Sequence, residues 1–201
     1  MKLKMVIVMN DDLIEGTYKD LDETRCIIIN KTVDEKIIEG AVLKIWQWNQ
    51  EDNLIEAELK KYERTPIRIF INSSGGKVLE SLSLIGAITT SKTPIETICL
   101  GHAYSAAFMI FIVGHKRYVQ PYSILMYHDM SGGMQGKSQE LFEYAADISE
   151  LVSIYQSIVK KYTKITQKQL DKWHKEKLDY YIYSPEALKL KCCDDIWVSG
   201  K

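Results

Sequence analysis

The sequence predicts an α/β fold of stacked βαβ units, and three observations carry that reading. Apolar runs at residues 25–30, 67–71 and 95–100 are short and continuous, as strands covered on both faces are. Between them, residues 34–49 and 78–90 repeat their apolar side chains three and four apart, the period of a helix face. No internal repeat, low-complexity tract or linker interrupts the alternation, and 201 residues suffice for one domain with a sizeable core. Residues 25–201 are assigned to that domain, and residues 1–24 to an N-terminal arm or edge hairpin.

In chain order, residues 5–9 form one short apolar run followed by acidic and turn-forming residues. The strand at 25–30 reads Arg-Cys-Ile-Ile-Ile-Asn. Ile37, Ile38, Ala41, Val42, Ile45 and Trp46 mark the first helix, and the polar stretch 50–61 is a solvated loop or an extension of it. Pro66 bounds the second strand. Asn72-Ser73-Ser74-Gly75-Gly76 follows directly, and a helix over 78–90 comes next. The third strand leads into Gly101-His102-Ala103-Tyr104-Ser105-Ala106-Ala107 and an apolar helix to Val113. Two short strands, 118–120 and 123–128, flank Pro121, and Gly132-Gly133-Met134-Gln135-Gly136 forms a loop. Residues 137–162 are a long amphipathic helix, longer than a crossover needs, whose stripe suits a second subunit as well as its own core. A short helix at 166–175 takes Thr166 as its cap, and 180–183 is strand-like. Ser184 caps a last helix with Pro185 at its first position, and 196–198 is a terminal strand.

Composition excludes several classes. Twenty-seven acidic against 26 basic residues give a formal net charge of −1, which offers nothing to nucleic acid or a membrane surface. No apolar run reaches the roughly 18–20 residues of a membrane span. The run behind Met1-Lys2-Leu3-Lys4 stops at Asp11-Asp12, too short for a signal peptide. Cys26, Cys99, Cys192 and Cys193 have neither disulfide-framework nor zinc spacing, and read as reduced, buried thiols of a cytoplasmic protein.

Candidate chemistry centres on Ser105. Strand, tight turn, serine and buried helix is the arrangement that presents a nucleophilic hydroxyl beside free backbone N–H groups. Gly75-Gly76, at the end of a neighbouring strand, allows close backbone approach to a ligand, so its amides and that of Ala106 are candidates for binding a carbonyl oxyanion. His128, at a strand end, is the candidate base; His102, His115 and His174 fit less well. Asp129 points to the opposite face from His128; Asp179, just before the strand-like residues 180–183, is the better candidate for the orienting acid, although on spacing alone it competes with Asp171, Asp194 and Asp195.

These segments together resemble the proteolytic subunit family of the Clp protease, over about residues 25–197. Five ordered motifs carry the likeness. They are Ile69-Phe70-Ile71-Asn72-Ser73-Ser74-Gly75-Gly76, the Ser105 segment from Thr97 to Ala107, the His128 strand from Pro121, the loop Gly132 to Gly136, and Leu178-Asp179-Tyr180-Tyr181-Ile182-Tyr183-Ser184-Pro185-Glu186-Ala187. The resemblance implies the ClpP/crotonase-like fold, with the long helix protruding after the Gly-rich loop. It implies Ser105 as nucleophile, His128 as base, Asp179 as orienting acid, and the amides of Gly76 and Ala106 as oxyanion hole. It also implies that a peptide substrate lies as an added strand beside Gly75, Val78 and Ser131. Further implied are a serine endopeptidase of unfolded polypeptides, heptameric rings stacked in pairs, an AAA+ unfoldase partner that consumes the ATP, and no cofactor in this chain. The sequence departs from the family pattern at Ser74 (commonly proline), Ala106 (methionine), Asp129-Met130 (Gln-Pro) and Leu178 (arginine). The alternatives are a catalytically silent ring subunit and a crotonase-like acyl-CoA enzyme; the presence of all three triad residue types argues against the second.

Overall fold

The computed structural model describes residues 25–59 and 61–198, with the backbone of Val6–Ile7. The N-terminal arm or hairpin expected over residues 1–24 lies outside the described residues, apart from that two-residue strand, β1, which pairs in parallel with β2 (Cys26–Ile29). The sheet then runs through β3 (Ile67–Ser73), β4 (Ile95–Tyr104), β5 (Lys116–Val119) and β8 (Asp195–Ile196), all parallel. β6 (Ile124–Tyr127) pairs with the second half of β4, and β7 (Tyr180–Tyr183) pairs antiparallel with β6. The sheet among the described residues therefore has eight strands and is mixed α/β, as expected.

The sheet forks along β4. Glu96 to Cys99 pairs with β5, whereas His102 to Tyr104 pairs with β6. The fork lies at Leu100-Gly101, where the backbone groups freed by the departing β5 need new partners. Ser123 supplies one: its hydroxyl donates to Cys99 O at 2.8 Å, while Gln120 N–H reaches the same carbonyl at 3.1 Å. A Cβ at Gly101 would lie 2.7 Å from Asn72 Oδ1, so a larger residue there would displace the Asn72 side chain.

Helices α1 (Leu43–Glu58), α2 (Val78–Thr90) and α3 (Ala106–Ile112) follow strands in βαβ order, then α4 (Ser138–Tyr162), α5 (Gln167–Glu176) and α6 (Ser184–Lys189). A π-helical turn, Ile38–Val42, precedes α1. α3 is buried along its whole length and packs against β4, α2 and α4, so its uniform apolarity is that of a central core helix. Polar residues 50–58 extend α1 because Asp52 points inward. Its carboxylate accepts two bonds from Arg25, one from Tyr62 and one from Thr93, each 2.6 Å.

Thr166 caps α5 as expected, accepting from Gln169 N–H. Ser184 does not cap α6. It lies inside the helix and its hydroxyl donates to the carbonyls of Gln120 and Ser123, bracing the fork. α4 is half free: Tyr155 and Val159 are buried, whereas Leu141 and Phe142 near its N-terminus are exposed.

Candidate active site

The site begins where β4 ends. The chain passes from strand to buried helix across a single residue, Ser105, which takes φ 54° and ψ −124°. Its N–H donates to Met126 O at 2.9 Å, extending the β4–β6 ladder, while its carbonyl accepts the first α3 bond from Met109 N–H at 3.2 Å. One residue thus serves strand and helix at once, and neither set of dihedrals satisfies both. Ala103, Ala106 and Ala107, all buried, leave room for so abrupt a junction.

The turn after β3 lies against this junction. Gly75 has φ 94° and Gly76 φ 153°, both unfavourable for side-chain-bearing residues. A Cβ on Gly75 would stand 2.6 Å from Tyr104 O and 2.9 Å from both Ala106 N and Ser105 Cβ. The backbones of the two turns are therefore in direct contact. Gly76 bridges to Val33, with Val33 N–H donating to Gly75 O and Lys77 N–H to Val33 O, each 2.8 Å. Gly76 N–H takes no part in that bridge. The turn's own side chains hold its shape: Ser73 Oγ donates to Lys31 O and accepts from Gly75 N–H, and Asn72 Oδ1 accepts from His102 N–H.

His128 follows β6 directly. The antiparallel β6–β7 register pairs Tyr127 with Tyr180, so its continuation sets His128 opposite Asp179. Nδ1 of His128 lies 3.8 Å from Asp179 Oδ1, an ion-pair distance longer than a hydrogen bond. The structure thus separates the four aspartates left open by spacing. Asp171 accepts from Gln167, Asp194 pairs with Arg117, Asp195 lies in β8, and Asp179 stands beside the histidine.

One cavity brings the groups together. Gly76, Val78, Ser105, His128 and Ser131 line it. Met109, Tyr127, Met130 and Tyr155 complete its wall. Those four escaped sequence reasoning because core and pocket side chains share one apolar periodicity. Asp179 stands behind His128, and Gly75 and Ala106 lie behind the Ser105 turn.

The remaining histidines have other partners. His115 Nδ1 accepts from Ile95 N–H, and burial pushes its pKa down, which keeps it neutral. His102 is 3.2 Å from Ser74 Oγ, and His174 pairs with Asp129. Burial raises the Cys99, Cys192 and Cys193 thiols to about 12, so these cysteines are protonated and poor nucleophiles. No described helix is long and apolar enough to cross a membrane.

Comparison with known proteins identifies the family. The family model described as Clp protease matches residues 10–199. The chain belongs to the Clp protease family. Its similarity extends to the ATP-dependent Clp protease proteolytic subunit of Deinococcus radiodurans, 26% identical over 181 residues, which cover 89% of this chain and 83% of that protein. Family membership supports a peptidase role, and in this member Ser105, Ser131 and His128 line one pocket, with the Gly75-Gly76 turn packed against the Ser105 junction.

Proposed function

We propose that this Clp protease family member is a serine endopeptidase subunit that cleaves unfolded polypeptides by acyl transfer. The observation that carries the reading is Ser105, held at φ 54° and ψ −124° in the same cavity as His128. Backbone conformations of this kind cost about 1–3 kcal/mol, and they cluster at sites where geometry matters more than stability. Asp179 faces Nδ1 of His128, which leaves Nε2 for the serine. His128 takes the Ser105 proton as Oγ attacks the peptide carbonyl, and the N–H groups of Gly76 and Ala106 receive the oxyanion. Collapse of the tetrahedral adduct breaks the C–N bond, and the imidazolium protonates the leaving amine. Water, deprotonated by His128, then hydrolyses the ester. The 3.8 Å separation of His128 and Asp179 closes in the substrate complex, since such contacts often tighten only there.

The substrate lies between the segment of Gly75 and Val78 and the loop of Ser131, where it adds a strand by main-chain pairing. The exposed Leu141 and Phe142 on α4 support pairing of heptameric rings through that helix. In this reading the subunit works in the cytoplasm, needs no cofactor of its own, and receives substrates from an AAA+ unfoldase that consumes ATP. A second reading, a catalytically silent ring subunit, is favoured by the same 3.8 Å gap and by the exposure of Asp179. A fluorophosphonate probe with mass mapping separates the two. Covalent label on Ser105, with peptide hydrolysis lost in Ser105→Ala, supports the endopeptidase. No label and no hydrolysis in the assembled wild-type protein supports the silent subunit.

A further inference from the structure

The last turn of α5 touches the chain on both sides of His128 and of Asp179. Trp173 and His174 make all of these contacts. The Trp173 ring stacks on Tyr180, with centroids 3.9 Å apart and planes at 19°, and Tyr180 is the residue after Asp179. The same ring lies 5.8 Å from that of Tyr127, the residue before His128. Trp173 O accepts from Leu178 N–H at 3.1 Å, and Leu178 precedes Asp179. His174 O accepts from Lys177 N–H at 3.2 Å, in a turn made by Lys177 in the left-handed conformation at φ 50°. Finally, His174 Nδ1 lies 2.5 Å from Asp129 Oδ2, and Asp129 follows His128.

These contacts divide by strength. Trp173 is buried and fixes the packing of the β6 and β7 ends. Asp129 and His174 are partly exposed, so their pair adds little to the stability of the fold. It has a geometric consequence instead. β6 ends at Tyr127, so among the described residues no ladder hydrogen bond orients His128, and the Asp179 carboxylate is 3.8 Å away. The next side chain, Asp129, is tied to the last turn of α5 through His174.

We propose that His174, acting through Asp129, is a positioning residue that fixes the His128 imidazole for proton transfer with Ser105. The inference rests on the acyl-transfer reading above. His174 touches neither substrate nor reacting atoms; it holds the backbone at residue 129, and through it the adjacent imidazole. A displacement of about 1 Å in a reacting group lowers turnover by as much as roughly 100-fold. Asp129→Asn and His174→Ala are therefore each expected to lower kcat by about 10- to 100-fold with KM unchanged. The double variant falls no further than the worse single one, because both changes break one contact. His174→Lys, which keeps a hydrogen-bond donor at the helix end, recovers part of the loss.

The experiment uses the assembled full-length protein, a short fluorogenic peptide, thermal melts, and mass-mapped carbethoxylation of His128. The proposal expects unchanged melting, the kcat-only loss, its partial recovery in His174→Lys, and faster carbethoxylation of His128 in Asp129→Asn and His174→Ala. Wild-type kcat in both of those variants overturns it, and so does a rise in KM alone. If a His174 variant fails to fold, Asp129→Asn alone carries the same expectations. An inactive wild type whose Ser105 takes no fluorophosphonate would sink the acyl-transfer reading. Even then, carbethoxylation of His128 at an unchanged rate in Asp129→Asn and His174→Ala would overturn the positioning role by itself.

Discussion

The strain at Ser105 makes a prediction that separates backbone from side chain. At φ 54° and ψ −124° a residue with a Cβ costs about 1–3 kcal/mol, whereas glycine adopts the conformation freely. Ser105→Ala removes the hydroxyl and keeps the strain. Ser105→Gly removes both, but its freer unfolded chain returns about 0.5–1 kcal/mol of the gain. The difference leaves Ser105→Gly more stable than Ser105→Ala by about 0.5–2 kcal/mol. For a chain of this size that is about 1–8 °C in the melting midpoint. Calorimetry of wild type and both variants at one protein concentration measures it, and a peptide assay run in parallel is expected to find both variants without turnover. A Ser105→Gly midpoint at or below that of Ser105→Ala would mean that the junction is relaxed. The argument from strain to nucleophile would then fail.

Three further outcomes are expected. Gly75→Ala places a Cβ 2.6 Å from Tyr104 O and 2.9 Å from Ala106 N, so the two turns must part; loss of one oxyanion donor costs about 100-fold or more in kcat, and peptide kinetics within threefold of wild type would contradict it. Burial works to raise the Asp52 carboxyl, but hydrogen bonds from Arg25, Thr93 and Tyr62 and the Arg25 charge outweigh it and hold the group below the ordinary range. Its stabilisation is therefore complete above the unfolded value of about 3.9 and lost as pH falls through the lower folded one. Asp52→Asn leaves Arg25 unpaired, costs about 3–5 kcal/mol in urea titrations at pH 7, and flattens the acid side of the stability curve; an unchanged acid slope would refute the assignment. Phe142→Asp puts a charge on the exposed apolar part of α4 and is expected to split paired rings into single ones in analytical ultracentrifugation, whereas wild-type pairs persist as salt rises because apolar burial is not screened.

The elements legible in the sequence are those whose side chains report burial directly. β3 alternates buried and half-buried residues, α2 carries its buried face at helical spacing, and α3 is apolar throughout because it is buried throughout. Ser105 and His128 were legible for a related reason: a serine between a strand and an apolar helix, and a histidine at a strand end, are local patterns. What was not legible depends on distant partners. Residues 50–58 read equally as a solvated loop or an extension of the first helix, and what decides for the helix is distant: Arg25, Tyr62 and Thr93 reach Asp52 from elsewhere in the chain. Ser184 has the sequence context of a cap, but the Gln120 and Ser123 carbonyls at the β4 fork claim its hydroxyl. Asp179 could not be chosen by spacing, because its place beside His128 follows from the β6–β7 register. The Asp129–His174 pair had no local signal at all.

Backbone conformation separates the site from the rest of the fold more sharply than residue type does. Among the described residues, three non-glycine residues have positive φ: Ser105, Lys177 and Lys191. Lys177, at φ 50° and ψ 44°, takes the left-handed conformation in which helices commonly end, and Lys191 follows the end of α6 in the same way. Their conformations are explained by the helices they terminate. Ser105 ends no helix. It joins an inner strand to a buried helix, and a glycine or a longer connection would have relieved the strain at no cost to the core. Gly75 and Gly76 show that this chain uses glycine where the backbone demands it, in the turn that packs on the same junction. A serine at a junction where glycine would be easier, with its side chain in a pocket shared with His128, fits the role proposed for its hydroxyl.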